Sequence, residues 1–358
     1  MKYEFGNSPE KIDGYRKFWS RADVKRPLVG FSFKSWFPLD EFRSSAAWPK
    51  DTSLTPEMIH PEEFIEDQER LLREGEWMDD DILRGASPSQ AIFWGEGTLG
   101  SSMRILPGNV VAVEQNLSWE EAEQRTWNPG SPWFKKYIEF IDVLVNHSKG
   151  RYPVSHGTLC GPFDYVINLR GHEQAVIDLM LEGERTYQLL KRMGDFFIWI
   201  TKEAWKRIPL FHGGYFDAQY SLWSPGSIIR MQEDGVAVLS PDLYERYLKP
   251  VDQQVASCFD CSFIHLHATS MFVLDKMLEI PEIRCYEINN DVGGPPLEWI
   301  LPYFQQVQKA GKPLLIRGSF TPDELRRVMD SLDPRGLYLY IMVTERKEVE
   351  TLRPIVGM

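Results

Sequence analysis

The stretch from Cys258 to Asp291, CFDCSFIHLHATSMFVLDKMLEIPEIRCYEINND, limits the fold more than any other part of the chain. Phe263 to Ala268 is short and, apart from two histidines, apolar, which predicts a buried strand. Residues 271–280 carry helical spacing, and Ile283 to Asn289 predicts a second buried strand. Side chains alternate along a strand, so His265 and His267 share a face with Phe263, while Ile264, Leu266 and Ala268 share the other. The second strand repeats the arrangement, with Cys285, Glu287 and Asn289 on one face and Arg284, Tyr286 and Ile288 opposite. A strand–helix–strand unit whose polar groups gather at the carboxyl ends of the strands is the way a (β/α)8 barrel builds an active site.

The rest of the chain fits that unit. Residues 8–20 predict an opening helix, Pro27 to Phe33 a first strand running into KSWFP, and HPEEFIEDQERLLREGEW (60–77) an amphipathic helix. Residues 84–116 are irregular and contain FWGEG at 93–97; a loop that long in a compact chain is more often functional than idle. Ser118 and Glu121 form a capping box, and Pro132 to His147 reads as a further helix ended by Gly150. From Arg151 the alternation is regular. Strand YPVSHG (152–157) precedes two helices over 171–207, and HGGYFDAQ (212–219) and QEDG (232–235) supply strand-end material. LSPDLY (239–244) caps a helix reaching Phe259; a helix from Pro296, strand PLLIRG (313–318), a helix from Thr321 and strand LYLYIMV (337–343) complete the chain. Repeated strand–helix pairs predict an α/β protein with a parallel sheet and helices outside. The expected architecture is a single (β/α)8 TIM barrel over 1–358, with an N-terminal helical extension and long loops at the active-site face.

Charge and composition remove several classes of function. A net charge of −12 with no basic stripe argues against a nucleic-acid partner, whose backbone demands clustered Lys and Arg. No apolar run approaches a membrane span and the amino terminus lacks a signal-peptide core, so a cytoplasmic protein is expected. Four unevenly spaced cysteines suit a reducing compartment. No G-x-G-x-x-G or Walker-type loop occurs, which leaves nucleotide binding without support.

Candidate site residues follow from the inward face. His265 and His267 at i, i+2 could hold a divalent metal such as zinc, with Glu287 or Glu96 as third ligand, or could serve as hydrogen-bonded site histidines. Cys258 and Cys261 do not join them: Cys261 opens the strand that His267 ends, about 20 Å away along an extended chain. Both are read as small residues at the barrel's foot. Glu287, Asn289 and Asp291 crowd one strand end, where a carboxylate can act as general acid or base. Glu96 is a partner from across the barrel, and two facing carboxylates among 12 tryptophans would also suit a glycoside hydrolase. Arg317, inward beside Leu315, needs a carboxylate or phosphate partner, from Glu287 or from a substrate. His156 joins the ring by its place at a strand end, and Tyr215, Asp217 and Gln219 share one face of their segment. Glu287, His265, Asp217 and Tyr215 are thus the catalytic candidates, and Arg317, Asn289, His156 and Glu96 the substrate-binding ones.

Four stretches in order, HGTLCGPF (156–163), EDGVAVLSP (233–241) leading into YERYLKP, IHLH (264–267) and LIRGS (315–319), resemble the uroporphyrinogen decarboxylase superfamily, which also holds the methylcobamide:coenzyme M and related corrinoid methyltransferases. The resemblance covers roughly residues 150–345 and implies a (β/α)8 barrel. The decarboxylases carry an arginine-rich segment after the first strand; FKSWFP (33–38) stands there in this chain. The methyltransferases hold zinc with His-X-Cys and a later Cys. His265 matches the first ligand, His267 replaces the first Cys, and Met342 or Thr344 falls where the last is expected. The resemblance therefore implies methyl transfer to a small polar or anionic molecule, metal-assisted and linked to a corrinoid carried by a partner protein. Decarboxylation of a carboxylated small molecule, or a ligand-binding barrel without catalysis, are the alternatives.

Overall fold

The computed structural model describes residues 3–33 and 39–358. The segment 34–38, which includes most of the FKSWFP stretch, lies outside the described residues.

Eleven strands are described: β1 (Leu28–Phe33), β2 (Ser53–Leu54), β3 (Met103–Leu106), β4 (Asn109–Ala112), β5 (Tyr215–Asp217), β6 (Leu222–Ser224), β7 (Ile228–Gln232), β8 (Cys261–Leu266), β9 (Ile283–Asn290), β10 (Leu314–Gly318) and β11 (Leu337–Val343). Six form one parallel sheet in the order β1-β11-β10-β9-β8-β7. Two further positions lie between β1 and β7 in the chain, where Ala86 and Val154 make a parallel bridge. Its bonds run from Ala86 N to Pro153 O (2.9 Å) and from Ser155 N to Ala86 O (2.8 Å). Pro153 has no N–H to give, so the ladder stops at a bridge there. Six strands and two bridged segments make the eight positions of a (β/α)8 barrel, in agreement with the expected fold.

Helices separate these positions as the sequence predicts. Lys249–Ser257 follows β7, Leu274–Leu278 follows β8, Leu297–Lys309 follows β9, Pro322–Ser331 follows β10 and Arg346–Leu352 follows β11. Lys11–Ser20 is the amino-terminal extension. The pair expected over 171–207 is His172–Leu181 and Gly183–Trp205, parted at Glu182, and a further helix, Pro162–Arg170, precedes them and ends at Gly171 (φ 90°). The irregular 84–116 stretch holds a short helix, Trp94–Thr98, and the antiparallel β3–β4 pair. Residues 212–219, expected to supply strand-end or loop material, hold β5, which pairs with residues 222–224 as the antiparallel hairpin β5–β6 and is not a barrel strand. Among the described residues no helix is long and apolar enough to cross a membrane.

Strand alternation divides the core in two. Val29, Phe31, Ile264, Leu266, Ile288, Ile316 and Leu339 face the helices, whereas Leu28, Ile228, Cys261, Phe263, Cys285, Leu315, Tyr338 and Tyr340 fill the barrel. Tyr15 and Phe18 of the first helix, with Phe216, Leu222 and Trp223 of the β5–β6 hairpin, belong to that inner cluster and plug its amino-terminal end. Each such side chain contributes about 1.5–3 kcal/mol by leaving water. The inward polar side chains His265, Glu287, Asn289 and Arg317 lie towards the other end.

Two helix starts at that end cap themselves. Thr321 N gives a hydrogen bond to Glu324 Oε2 (2.8 Å) and Glu324 N to Thr321 Oγ1 (3.2 Å). After β11, Thr344 N and Glu345 N both reach Glu348 Oε2, at 2.6 and 3.0 Å.

Candidate active site

Parallel register sets the inward side chains in rows. Gln232 on β7 pairs with His265 on β8, His265 with Glu287 on β9, and Glu287 with Leu315 on β10. One row nearer the mouth, Asn289 pairs with Arg317, and Arg317 with Tyr340 on β11. His265, His267, Glu287, Asn289 and Arg317 are thus brought to one end of the barrel, as their alternation predicts.

Hydrogen bonds join four of these residues, all but Arg317, into a chain with Tyr220 and Asp291. The Glu287 carboxyl lies against His265 Nδ1, which also meets the Tyr220 hydroxyl at 2.8 Å. His265 Nε2 faces His267 Nε2 at 3.0 Å, and His267 Nδ1 lies 2.9 and 3.0 Å from the two oxygens of Asp291. Asn289 Nδ2 donates to Asp291 Oδ1 (3.0 Å). Two bare nitrogen lone pairs cannot face each other at that distance, so a proton or a cation must stand between the imidazoles.

Burial decides the charges. Glu287 is fully buried, and the loss of water pushes its carboxyl up to about 8, against the pull of Arg317 and His267. His265 is held well below the ordinary histidine range, first by burial and then by its neighbour His267. A neutral Glu287 donates to His265 Nδ1, His265 Nε2–H to His267 Nε2, and His267 Nδ1–H to Asp291. Every link is then satisfied, with a single charge, on the partly exposed acid.

The same geometry fits a divalent cation. With both Nδ1 positions turned to carboxylates, the two Nε2 atoms are the free donors, which is the usual state of metal-binding imidazoles. One oxygen of Asp234, in the loop after β7, and one ring nitrogen from each histidine lie within 4.8 Å of one another. Asp234 therefore takes the third-ligand place expected of Glu287 or Glu96. Glu287 sits behind His265 instead. Glu96 is buried in the helix Trp94–Thr98, where its carboxyl meets Cys160 and is pushed up by burial. It is not brought to the histidines, and the facing pair expected of Glu96 and Glu287 is not formed. Of the other positions tied to zinc, Thr344 is spent on the cap of the last helix and only the Met342 thioether remains at the end of β11. Cys261 lies in the inner cluster at the foot, as expected, while Cys258 packs half-buried against the outer core.

Two other expected site residues gather elsewhere, around Trp205. Tyr215 packs edge-on against that indole (5.0 Å), and the His156 ring meets it at 5.2 Å. Trp205 Nε1 in turn binds the Ile228 carbonyl at the amino end of β7, away from the histidine pair. The His156 expectation rested on its place at a strand end and that of Tyr215 on the face it shares with Asp217 and Gln219, but Tyr215 belongs to the hairpin at the foot, and His156 binds its neighbour's carbonyl, Gly157 O, at 2.7 Å. Burial pulls His156 down, and its Nε2 is without a partner. Asp217 is buried and accepts the Tyr220 amide at 3.0 Å, so it reaches the site only through that residue. Gln219 Nε2 lies 3.5 Å from the Tyr220 hydroxyl.

Sequence reasoning missed Asp234, Tyr220 and Arg230. Asp234 had a signal, an acid directly after a strand in the EDG run. Arg230 points inward on β7 at 2 % exposure, held by Gln232 Oε1 (3.0 Å) and Leu159 O (3.3 Å), with no carboxylate in ion-pair range among the described residues. A Cβ at Gly161 would stand 1.6 Å from the Gln232 carbonyl oxygen, so glycine alone lets the neighbouring loop pass so close to this strand end. Arg317 is half-buried with no ion pair or hydrogen bond among the described residues, and its Nε is sealed from water. Glu287 Oε1 and Asn289 Oδ1 are likewise buried without a partner. A donor and two acceptors thus stand unused on adjoining strands.

No family model matches this sequence, and no curated protein matches it either. Among solved structures, a methyltransferase from Methanosarcina mazei superposes with a TM-score of 0.65 at 13% identity, covering 95% of this chain and 96% of that one. At that identity the likeness is one of fold, and it extends over nearly the whole of both chains.

Proposed function

We propose that this chain is a methyltransferase acting on a small polar or anionic acceptor, with a divalent cation such as zinc held by His265 Nε2, His267 Nε2 and Asp234. The methyl group would come from a corrinoid carried by a partner protein, in the cytoplasm. The observation that carries this reading is the pair of Nε2 atoms 3.0 Å apart, each ring anchored through Nδ1 by a carboxylate. The fold shared with a methyltransferase supports it. A cation bound there supplies Lewis-acid activation, lowering the acceptor's pKa so that it can attack a methyl group. Arg317 meets the acceptor's anionic end, and Asn289 Oδ1 accepts from its polar part. With a cation in place the His265 Nε2–H proton would be given up to solvent and Glu287 would pass its proton to His265 Nδ1, while Asp291 holds that of His267, and the buried floor around Glu287 excludes water.

The test is metal content followed by turnover. Purified protein is expected to retain about one divalent ion per chain, lost in His265→Ala and His267→Ala, and to demethylate methylcobalamin when small anionic thiols are supplied. Protein that takes up no stoichiometric ion from zinc or cobalt solution overturns the metal-assisted form. Ligand binding without turnover on any acceptor points to a binding barrel.

One observation favours a second reading. Glu287, uncharged at neutral pH, stands near Arg317, whose Nε has no partner among the described residues. A substrate carboxylate on Arg317 could leave as carbon dioxide while Glu287 protonates the carbanion. Metal-independent release of carbon dioxide from a carboxylated substrate would establish this decarboxylase.

A further inference from the structure

Tyr220 has no part in the function argued so far, yet its hydroxyl reaches the centre of the site. It lies in the turn of the β5–β6 hairpin, the element that plugs the barrel's foot, and it is fully buried. Sealing the foot does not need the hydroxyl. The backbone N–H is held by Asp217 Oδ1 (3.0 Å), the carbonyl accepts from Tyr338 Oη (2.8 Å), and the ring stands edge-on to Phe263 at 5.6 Å. The next residue, Ser221, sits at φ 48°, a left-handed conformation costly for a non-glycine, and its carbonyl is pinned by Tyr15 Oη at 2.6 Å. A phenylalanine would keep all of these contacts. Only the hydroxyl would go, and it lies 2.8 Å from His265 Nδ1.

We infer that Tyr220 is a positioning residue, fixing the orientation and tautomer of His265 from beneath so that Nε2 is presented to the mouth. The inference rests on the reading of His265 as a metal-binding or proton-carrying group. The register puts Glu287 beside His265, and His267 meets its Nε2, but both come from the β8 and β9 segments themselves. Tyr220 adds an oxygen from a third element at Nδ1, so a turned ring would set carbon against a buried hydroxyl as well as against Glu287. The hairpin turn then acts as a rigid support, and its unusual backbone at Ser221 is what aims the phenol.

The test is Tyr220→Phe in the full chain, read two ways. In metal-free protein carrying 15N-histidine, wild type is expected to show one sharp His265 tautomer, and Tyr220→Phe broadened or doubled His265 signals at unchanged near-UV circular dichroism. In titrations with cobalt(II), affinity is expected to fall about 10–100-fold, as for other groups that orient a ligand from behind. Should Tyr220→Phe match wild type in His265 signals, Tyr220 is only packing, whatever the metal result. A wild type that binds no cobalt removes the metal reading, while the metal-free spectra still judge Tyr220. Tyr338→Phe, which frees the Tyr220 carbonyl but keeps the phenol, is expected to move the His265 signals less.

Discussion

The charge of Glu287 is set by its depth. A carboxyl with an ordinary value of 4.5 is held near 8 by burial, so the folded protein keeps a proton that the unfolded chain releases. The stability this proton contributes is whole below pH 4.5 and is lost as the pH rises through about 8. Glu287→Gln keeps the neutral form at every pH. Its urea midpoint is expected to fall less than that of wild type between roughly pH 5 and 8, and parallel curves would refute the buried neutral acid. Arg317 predicts the reverse pattern. With no ion pair or hydrogen bond among the described residues to lose, Arg317→Met should change stability by no more than about 0.5 kcal/mol while abolishing binding of small anions by calorimetry. His265, Glu287, Asn289 and Arg317 were legible because side chains on a strand alternate and the polar ones fall at its carboxyl end. Tyr220 and Arg230 were not: a tyrosine in a Gly- and aromatic-rich segment and an arginine in an apolar run carry no mark of the strand or turn that aims them.

At the scale of elements, the β5–β6 hairpin separates what pattern can show from what packing decides. Its strands alternate with the same period as a barrel strand, so residues 212–219 read as strand-end material. The turn gives no glycine signal either, since its left-handed position is Ser221. Only the inner cluster reveals it as a plug, with Trp223 fully buried and its Nε1 bonded to Phe211 O at 2.8 Å. Trp223→Ala is therefore expected to cost about 3–5 kcal/mol in urea unfolding. It should also blur the His265 site that the same hairpin supports. A cost under about 1 kcal/mol would mean that the foot is closed by other residues.

Across the whole molecule, stability is not spread evenly around the barrel. Six strands share continuous ladders, whereas the Ala86 and Val154 positions share one bridge. Hydrogen exchange is expected to open residues 83–87 and 152–157 before β8, β9 and β10, and uniform protection around the ring would contradict this. The strands at 28–33, 261–266, 283–290, 314–318 and 337–343 were all legible from short apolar runs, and so was their parallel, helix-separated order. The weak arc was not, because YPVSHG looks as strand-like as the rest until Pro153 is set against its neighbour.

The self-capped helix starts after β10 and β11 bear on which ligands this end of the barrel can hold. In many barrels of this kind the loops after the last two strands, with a free helix start, clasp a phosphate. Here Glu324 and Glu348 already occupy those amides with negative charge of their own. A phosphate arriving at that corner would find those amides taken and its charge opposed, so the free helix starts that other barrels offer to phosphate are closed in this one.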